Sequence, residues 1–321
     1  MVPMLNPIIE KDLKTKMRGW RTPILLSLYL LFLALVLMMF FVSNNQSYTR
    51  YGYSTFNPRI AVNAYSIIAV FQFALLMLIV PALTSTAISG ERERQTLDLM
   101  LCSDISTWSV IMGKLVVSIA HIMFLVVASL PILGMVFLFG GITLGEILLM
   151  FLFYVITALM VASLGIFLST LFKKNVTAII SGYICLGLLG IGPIIAFLVW
   201  TVFYQRSGSG QITYGTIAAF LFPSPAFGFT SFMSGGQYSI FGGVFYEIQN
   251  LTASETGILR YLQPWMINAA FDIVFSAILI CLSAWKLNPV KRIGKNKKER
   301  RQDRIVQRND GTGAAQQGSS E

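Results

Sequence analysis

Few residues in this chain have the types and spacing to do chemistry. The single histidine, His121, lies inside a long apolar run. There a neutral, hydrogen-bonded imidazole competes with a proton-relay role. No Ser/His/Asp set accompanies it. Cys102, Cys185 and Cys281 are far apart, without ligand or disulfide spacing, and read as small apolar fillers. Gly113-Lys114-Leu115 lacks both the glycine loop and the hydroxyl of a G-x-x-x-x-G-K-[ST] phosphate loop. The chain therefore binds no ATP through a P-loop, and neither catalytic residues, a cofactor nor a metal is expected on it.

Asp272 is the sharper anomaly. It falls about two turns into an apolar segment, with Asn268 and Ser276 four residues either side on the same helical face. An aspartate inside a membrane span costs about 2.5–3.5 kcal/mol on insertion scales, so a facing partner or water is expected. A structural hydrogen-bond cluster, a water-lined path and a cation-coupling site compete as its role. Gln72 and Pro81 share another apolar segment. Pro81 removes a backbone donor, so a kink or break is expected there, with Thr84, Ser85, Thr86 and Ser89 able to satisfy the freed carbonyls.

The densest charge lies in Ser89-Gly90-Glu91-Arg92-Glu93-Arg94-Gln95-Thr96-Leu97-Asp98-Leu99-Met100-Leu101, between two apolar segments. Leu97, Met100 and Leu101 form an apolar stripe at helical spacing, and Arg94 with Asp98 can pair at i, i+4. A connector that only closed a turn would not need that stripe. The segment reads as an amphipathic helix made for a soluble partner, with Ser106 or Thr107 capping the helix that follows.

These residues must be positioned by membrane helices. Of 321 residues, 55% are hydrophobic and 12% charged, and the mean hydropathy is +0.70; soluble domains carry about 25% charged residues. Crossing about 30 Å of hydrocarbon takes about 20 apolar residues. Six windows qualify: Pro23–Val42, Ile60–Ser89, Val110–Phe139, Ile147–Phe172, Val176–Tyr204 and Trp265–Trp285. The first is too long for a cleaved signal and lacks a small-residue cleavage site. Lysine and arginine alternate in density across the connectors, twenty on one side against four on the other. By the positive-inside rule both termini and the Glu91–Leu101 segment are cytoplasmic. That bias and the basic tail account for the net charge of +10 without any nucleic acid.

Three organisational units follow. Residues 1–22 form an amphipathic helix at the membrane surface. Asn6 and Pro7 open it, and Ile9, Leu13, Met17 and Trp20 make a stripe flanked by Lys11, Lys14, Lys16 and Arg18. It serves as an anchor, a partner contact, or both. Residues 23–285 are the six-span domain, an all-α membrane fold. Residues 286–321 are a basic, largely disordered tail suited to anionic lipid. Between the last two spans, Tyr214–Phe222, Ala226–Met233 and Tyr238–Ile248 are aromatic-rich and too short to cross. They fit re-entrant or interfacial helices, acting as a lid or as a structural plug. The fifth span carries Gly182, Gly187, Gly190, Gly192 and Pro193, read either as softening of the helix or as close packing.

Asn6-Pro7 with the charged helix ending Arg18-Gly19-Trp20-Arg21, and above all Ile88–Asp98, resemble the permease subunit of an ABC-2 type ABC transporter. The likeness covers nearly all of the six-span region. Relatives carry a G-E-R-E-x-x-T-L-[DE] segment after the second span; Lys114 and the Gly140-Gly141 turn are similar as well. Where relatives often have Thr-Pro soon after the motif, this chain has Ser103-Asp104. The resemblance implies that Glu91, Arg92, Glu93, Arg94, Thr96, Leu97, Asp98 and Leu101 belong to a coupling helix docking on a separate ATPase, with ATP-Mg bound there. It implies that Lys11, Lys14, Arg18 and Trp20 form a connecting helix touching the same subunit. Two ATPases and a second permease chain, identical or not, would complete an exporter in a bacterial cell membrane. The second and fifth spans would line the path, with Gln72, Pro81, Asn268 and Asp272 as intramembrane polar positions. A self-standing ion-coupled carrier using Asp272 is the alternative, though no inverted repeat supports it; a membrane enzyme would want clustered acids at one face.

Overall fold

The computed structural model describes residues 14, 19–51, 58–97, 107–138, 142–206, 220–234 and 263–287. Among them the regular structure is all helical. In chain order the helices are α1 (Arg21–Tyr51), α2 (Pro58–Thr84), α3 (Ser89–Glu93), α4 (Thr107–Ala128) and α5 (Leu130–Leu138), then α6 (Leu144–Leu171), α7 (Asn175–Arg206), α8 (Pro225–Ser234) and α9 (Pro264–Leu287). Six stretches are long and apolar enough to cross a membrane: Thr22–Ser43, Ile60–Glu93, Thr107–Leu138, Leu144–Leu171, Asn175–Phe203 and Pro264–Leu287. They coincide with the six windows read from the sequence.

Helix α6 is the hub, packing against α9, α2, α4, α7 and α8. Ala158, Ala162, Gly165 and Ser169 recur along it at three- and four-residue spacing and are all buried. Small residues in that register let neighbouring backbones come close, as membrane packing requires without a hydrophobic drive between helices. At Gly165 the approach is so close that an added Cβ would run into Thr84 Oγ1 and lie 2.9 Å from Thr84 Cβ. A Thr143-Leu144-Gly145-Glu146 capping box starts α6, with Thr143 N donating to Glu146 Oε2 at 2.9 Å and Glu146 N to Thr143 Oγ1 at 3.3 Å. Helices α1 and α7 stand at the periphery, their apolar windows 17% and 0% buried. Their exposed Leu, Ile, Val and Met side chains suit a lipid surround.

The irregular positions fall in the second, third and fifth spans. Helix α2 passes through Pro81 and ends three residues later in a turn at 85–88, and α7 runs unbroken through Pro193. The second span is thus interrupted just beyond Pro81, and the third span breaks as well, between α4 and α5. Pro131 has no N–H for the carbonyl of Val127, and the chain turns on Ser129, whose carbonyl accepts from Ile132 N at 3.0 Å.

Helix α8 spans ten residues, about 15 Å of rise against the roughly 30 Å of a bilayer core. Ser224 caps it, accepting from Phe227 N at 3.3 Å, and Pro225 occupies the first helical position. Its aromatic face fills the space between α2, α6 and α9: Phe229 stacks on Phe73 at 4.3 Å, and Phe232 meets Phe153 at 5.7 Å and Trp265 at 5.4 Å. The remaining short pieces (214–219 and 238–248), residues 1–13, and the tail from 288 lie outside the described residues.

Candidate functional site

The charged motif sits at one end of the bundle, where α2, α4, α6 and α7 all have a terminus. Its helical part is α3, five residues long. Gln95 follows in a left-handed conformation, φ 58°. Thr96 N donates to Glu91 O at 3.0 Å and Gln95 N to Arg92 O at 3.1 Å, the paired bonds of a Schellman motif. Thr96 Oγ1 also bonds the Glu91 carboxylate. The single helix expected over Glu91–Leu101 is therefore interrupted at Arg94–Thr96. Leu97 is 3% exposed and joins the core; Asp98 and Leu101 lie outside the described residues.

The first N–H groups of a helix need acceptors, and at the start of α3 another span accepts from the leading two. Ser169 Oγ on α6 accepts from Ile88 N at 2.9 Å and Ser89 N at 2.8 Å. The single proton of Ser89 Oγ is shared between Ser85 O at 3.0 Å and Asn175 Oδ1 at 2.6 Å. Glu91 Oε1 pairs with Lys114 Nζ on α4 at 3.0 Å, the lysine almost wholly buried. Arg92 donates to Phe172 O at 3.2 Å and to Thr170 O at 3.4 Å, placing a cation over the carbonyls that end α6. Glu93 accepts from Asn175 N at 2.7 Å and from Asn175 Nδ2 at 2.6 Å, placing an anion at the first turn of α7. Arg94, Gln95 and Thr96 are exposed.

A second polar group joins three elements within the bundle. Gln72 Nε2 donates to Ser129 Oγ at 2.9 Å, at the α4–α5 break, and Tyr29 of α1 borders both. Gln72 is fully buried. At the end of the bundle opposite the motif, Asn268 Nδ2 donates to Phe222 O at 2.7 Å and to Ser224 O at 3.2 Å. Gly228 leaves room for its amide oxygen. Asn268 thus ties α9 to the start of α8.

Asp272 does not join it. Ser276 Oγ donates to Ile273 O at 2.8 Å, and among the described residues neither oxygen of the fully buried Asp272 has a hydrogen-bond partner. The structure brings Asn268, Asp272 and Ser276 onto one helix without bonding them to one another. Of the N-terminal positions, Lys14 and Trp20 are exposed, Trp20 at 84%; Lys11 and Arg18 lie outside the described residues.

Residues 6–267 match the model of the ABC-2 family transporter proteins. The chain belongs to that family. No curated protein sequence matches it. Membership makes the chain a multi-pass permease, the membrane component of an ABC transporter, and implies association with ABC ATPases in general. In this ABC-2 permease, Ser169, Asn175 and the pairing of Lys114 with Glu91 were not found by reading the motif alone. The signals were present: a lysine at the start of an apolar span needs a carboxylate, and Lys173-Lys174-Asn175 marks a helix start.

Proposed function

We propose that this permease forms the translocation path of an ATP-driven exporter whose hydrolysis is performed by two separate ATPase subunits. A second permease chain completes the unit, in a bacterial cell membrane with both termini in the cytoplasm. Energy enters through the segment from Ser89 to Leu101, and the N-terminal helix makes the second contact.

The observation that carries this reading is the exposed turn Arg94–Thr96, held by α3 at the meeting point of four spans. A force applied to that turn acts on all four. The charge bias across the connectors supports the orientation, and the missing phosphate loop supports a separate ATPase. Affinity-tagged protein extracted from its native membranes should bring down vanadate-sensitive ATP hydrolysis that the chain lacks when purified alone. Hydrolysis by the isolated chain overturns the reading. So does proton or sodium flux in proteoliposomes of the chain alone, the behaviour of a self-standing carrier built on Asp272.

A further inference from the structure

We infer that the charged motif is divided between two jobs: Glu91, Arg92 and Glu93 clamp the spans together inside the chain, while Arg94, Lys173 and Lys174 form a basic docking face that fits an acidic cleft on the partner ATPase. This deepens the coupling reading and rests on it.

The division follows from where each charge points. Glu91 is neutralised by Lys114, Arg92 lies on the carbonyls of Thr170 and Phe172, and Glu93 is held by both nitrogens of Asn175. Three of the four charges in Glu-Arg-Glu-Arg are thus engaged within the chain. Arg94 is exposed, as are Lys173 and Lys174, and among the described residues none of these three forms an ion pair. They are neighbours because Arg92 bonds Phe172, which precedes Lys173, and Glu93 bonds Asn175, which follows Lys174.

Covering three cations with a protein surface removes their water, which is unfavourable unless carboxylates replace it. Glu91 and Glu93 cannot serve, because their carboxylates are already bonded within the chain, to Lys114 and to Asn175. An acidic cleft fits the basic face that remains. The clamp has a mechanical consequence as well. Ser169, Arg92, Lys114 and Asn175 link α3 to α6, α4 and α7, so a push on Arg94 moves these ends together.

Two measurements test the division. In the first, vanadate-sensitive ATPase retained by the tagged permease from native membranes is compared across variants. E91Q and E93Q should retain it. R94E/K173E/K174E should lose it about tenfold or more, and wild-type association should weaken as salt rises, because exposed charges are screened. If the triple reversal does not fold, as judged by size-exclusion profile and thermal unfolding, R94Q/K173Q/K174Q replaces it. Loss of ATPase in E93Q with retention in the triple variant overturns the inference alone. Absence of any ATPase with the wild type overturns the coupling reading and this one together.

The second measurement uses the permease by itself, with Cys102, Cys185 and Cys281 replaced by serine and spin labels at W108C and K173C. The distance distribution should be narrow in the otherwise unchanged chain and at least about twofold broader in E91Q/E93Q, because the bonds joining α4 to α7 through α3 are lost. An unchanged width overturns the clamp, whatever the first measurement shows.

Discussion

Replacing Gly165 with alanine tests whether the motif end depends on close packing of the second and fourth spans. An added Cβ meets Thr84 Oγ1, lies 2.9 Å from Thr84 Cβ and 3.2 Å from Ser85 N. Rotation of the threonine relieves only the first contact, and it gives up the bond from Thr84 Oγ1 to Val80 O at 2.8 Å. The Cβ and backbone contacts remain, so α2 must back away by several tenths of an ångström. Overpacking of this kind costs about 1–3 kcal/mol. Ser169, one turn further along α6, then draws away from Ile88 N and Ser89 N, and weakening those two bonds adds about 1 kcal/mol. G165A is therefore expected to lose about 2–4 kcal/mol in denaturant unfolding from lipid nanodiscs. T84A in the same background should recover about 1 kcal/mol by removing the nearest atom. A G165A variant within about 0.5 kcal/mol of wild type refutes the close approach. Strict additivity of the two substitutions refutes the assignment of the clash to Thr84.

Three further outcomes are expected in the same unfolding assay. N268A strips the donor from the Phe222 and Ser224 carbonyls and should cost about 2–4 kcal/mol, with faster proteolysis between α7 and α9. Q95G relieves the left-handed conformation at Gln95 (φ 58°) and should stabilise by about 1 kcal/mol; a loss instead would mean the side chain makes a needed contact. D272L removes a fully buried carboxyl whose two oxygens have no partner among the described residues and should raise stability by about 1–3 kcal/mol. A drop in stability would show that Asp272 has a partner in the membrane.

The six spans were legible because crossing hydrocarbon constrains both length and composition, and no soluble element satisfies both. The motif was legible as a charged helical element for the same reason: charge is scarce in this chain and its position stands out. The direction of each charge was not legible. Glu91 pairs with Lys114, twenty-three residues away, and Glu93 with Asn175, eighty-two residues away, so the partners depend on which helices pack together. The helices break in the second and third spans but not in the fifth, because a proline distorts a membrane helix according to what surrounds it. Pro193 is accommodated within a continuous helix, whereas α2 ends three residues beyond Pro81 and at Pro131 the chain turns on Ser129. Residues Asn268, Asp272 and Ser276 share a face as the spacing required, but bonding is settled by neighbours, and Asn268 bonds to the α8 entry instead.

Helix termini explain why the motif is charged at all. Each helix that ends at the motif end leaves orphan N–H or C=O groups, and an ordinary cap would satisfy them from within the same helix. Here the caps are exchanged between elements: Ser169 of α6 serves the start of α3, Arg92 serves the end of α6, and Glu93 serves the start of α7. The signs match the partial charges of those ends, cation over carbonyls and anion over amides. A cap supplied by a neighbour is also a joint, so the bonds that complete three helices fix their mutual positions. Moving α3 without moving α6 and α7 would expose groups at every one of those ends. Concerted motion of the spans is then the path that breaks the fewest bonds, and a single short connector suffices to drive it.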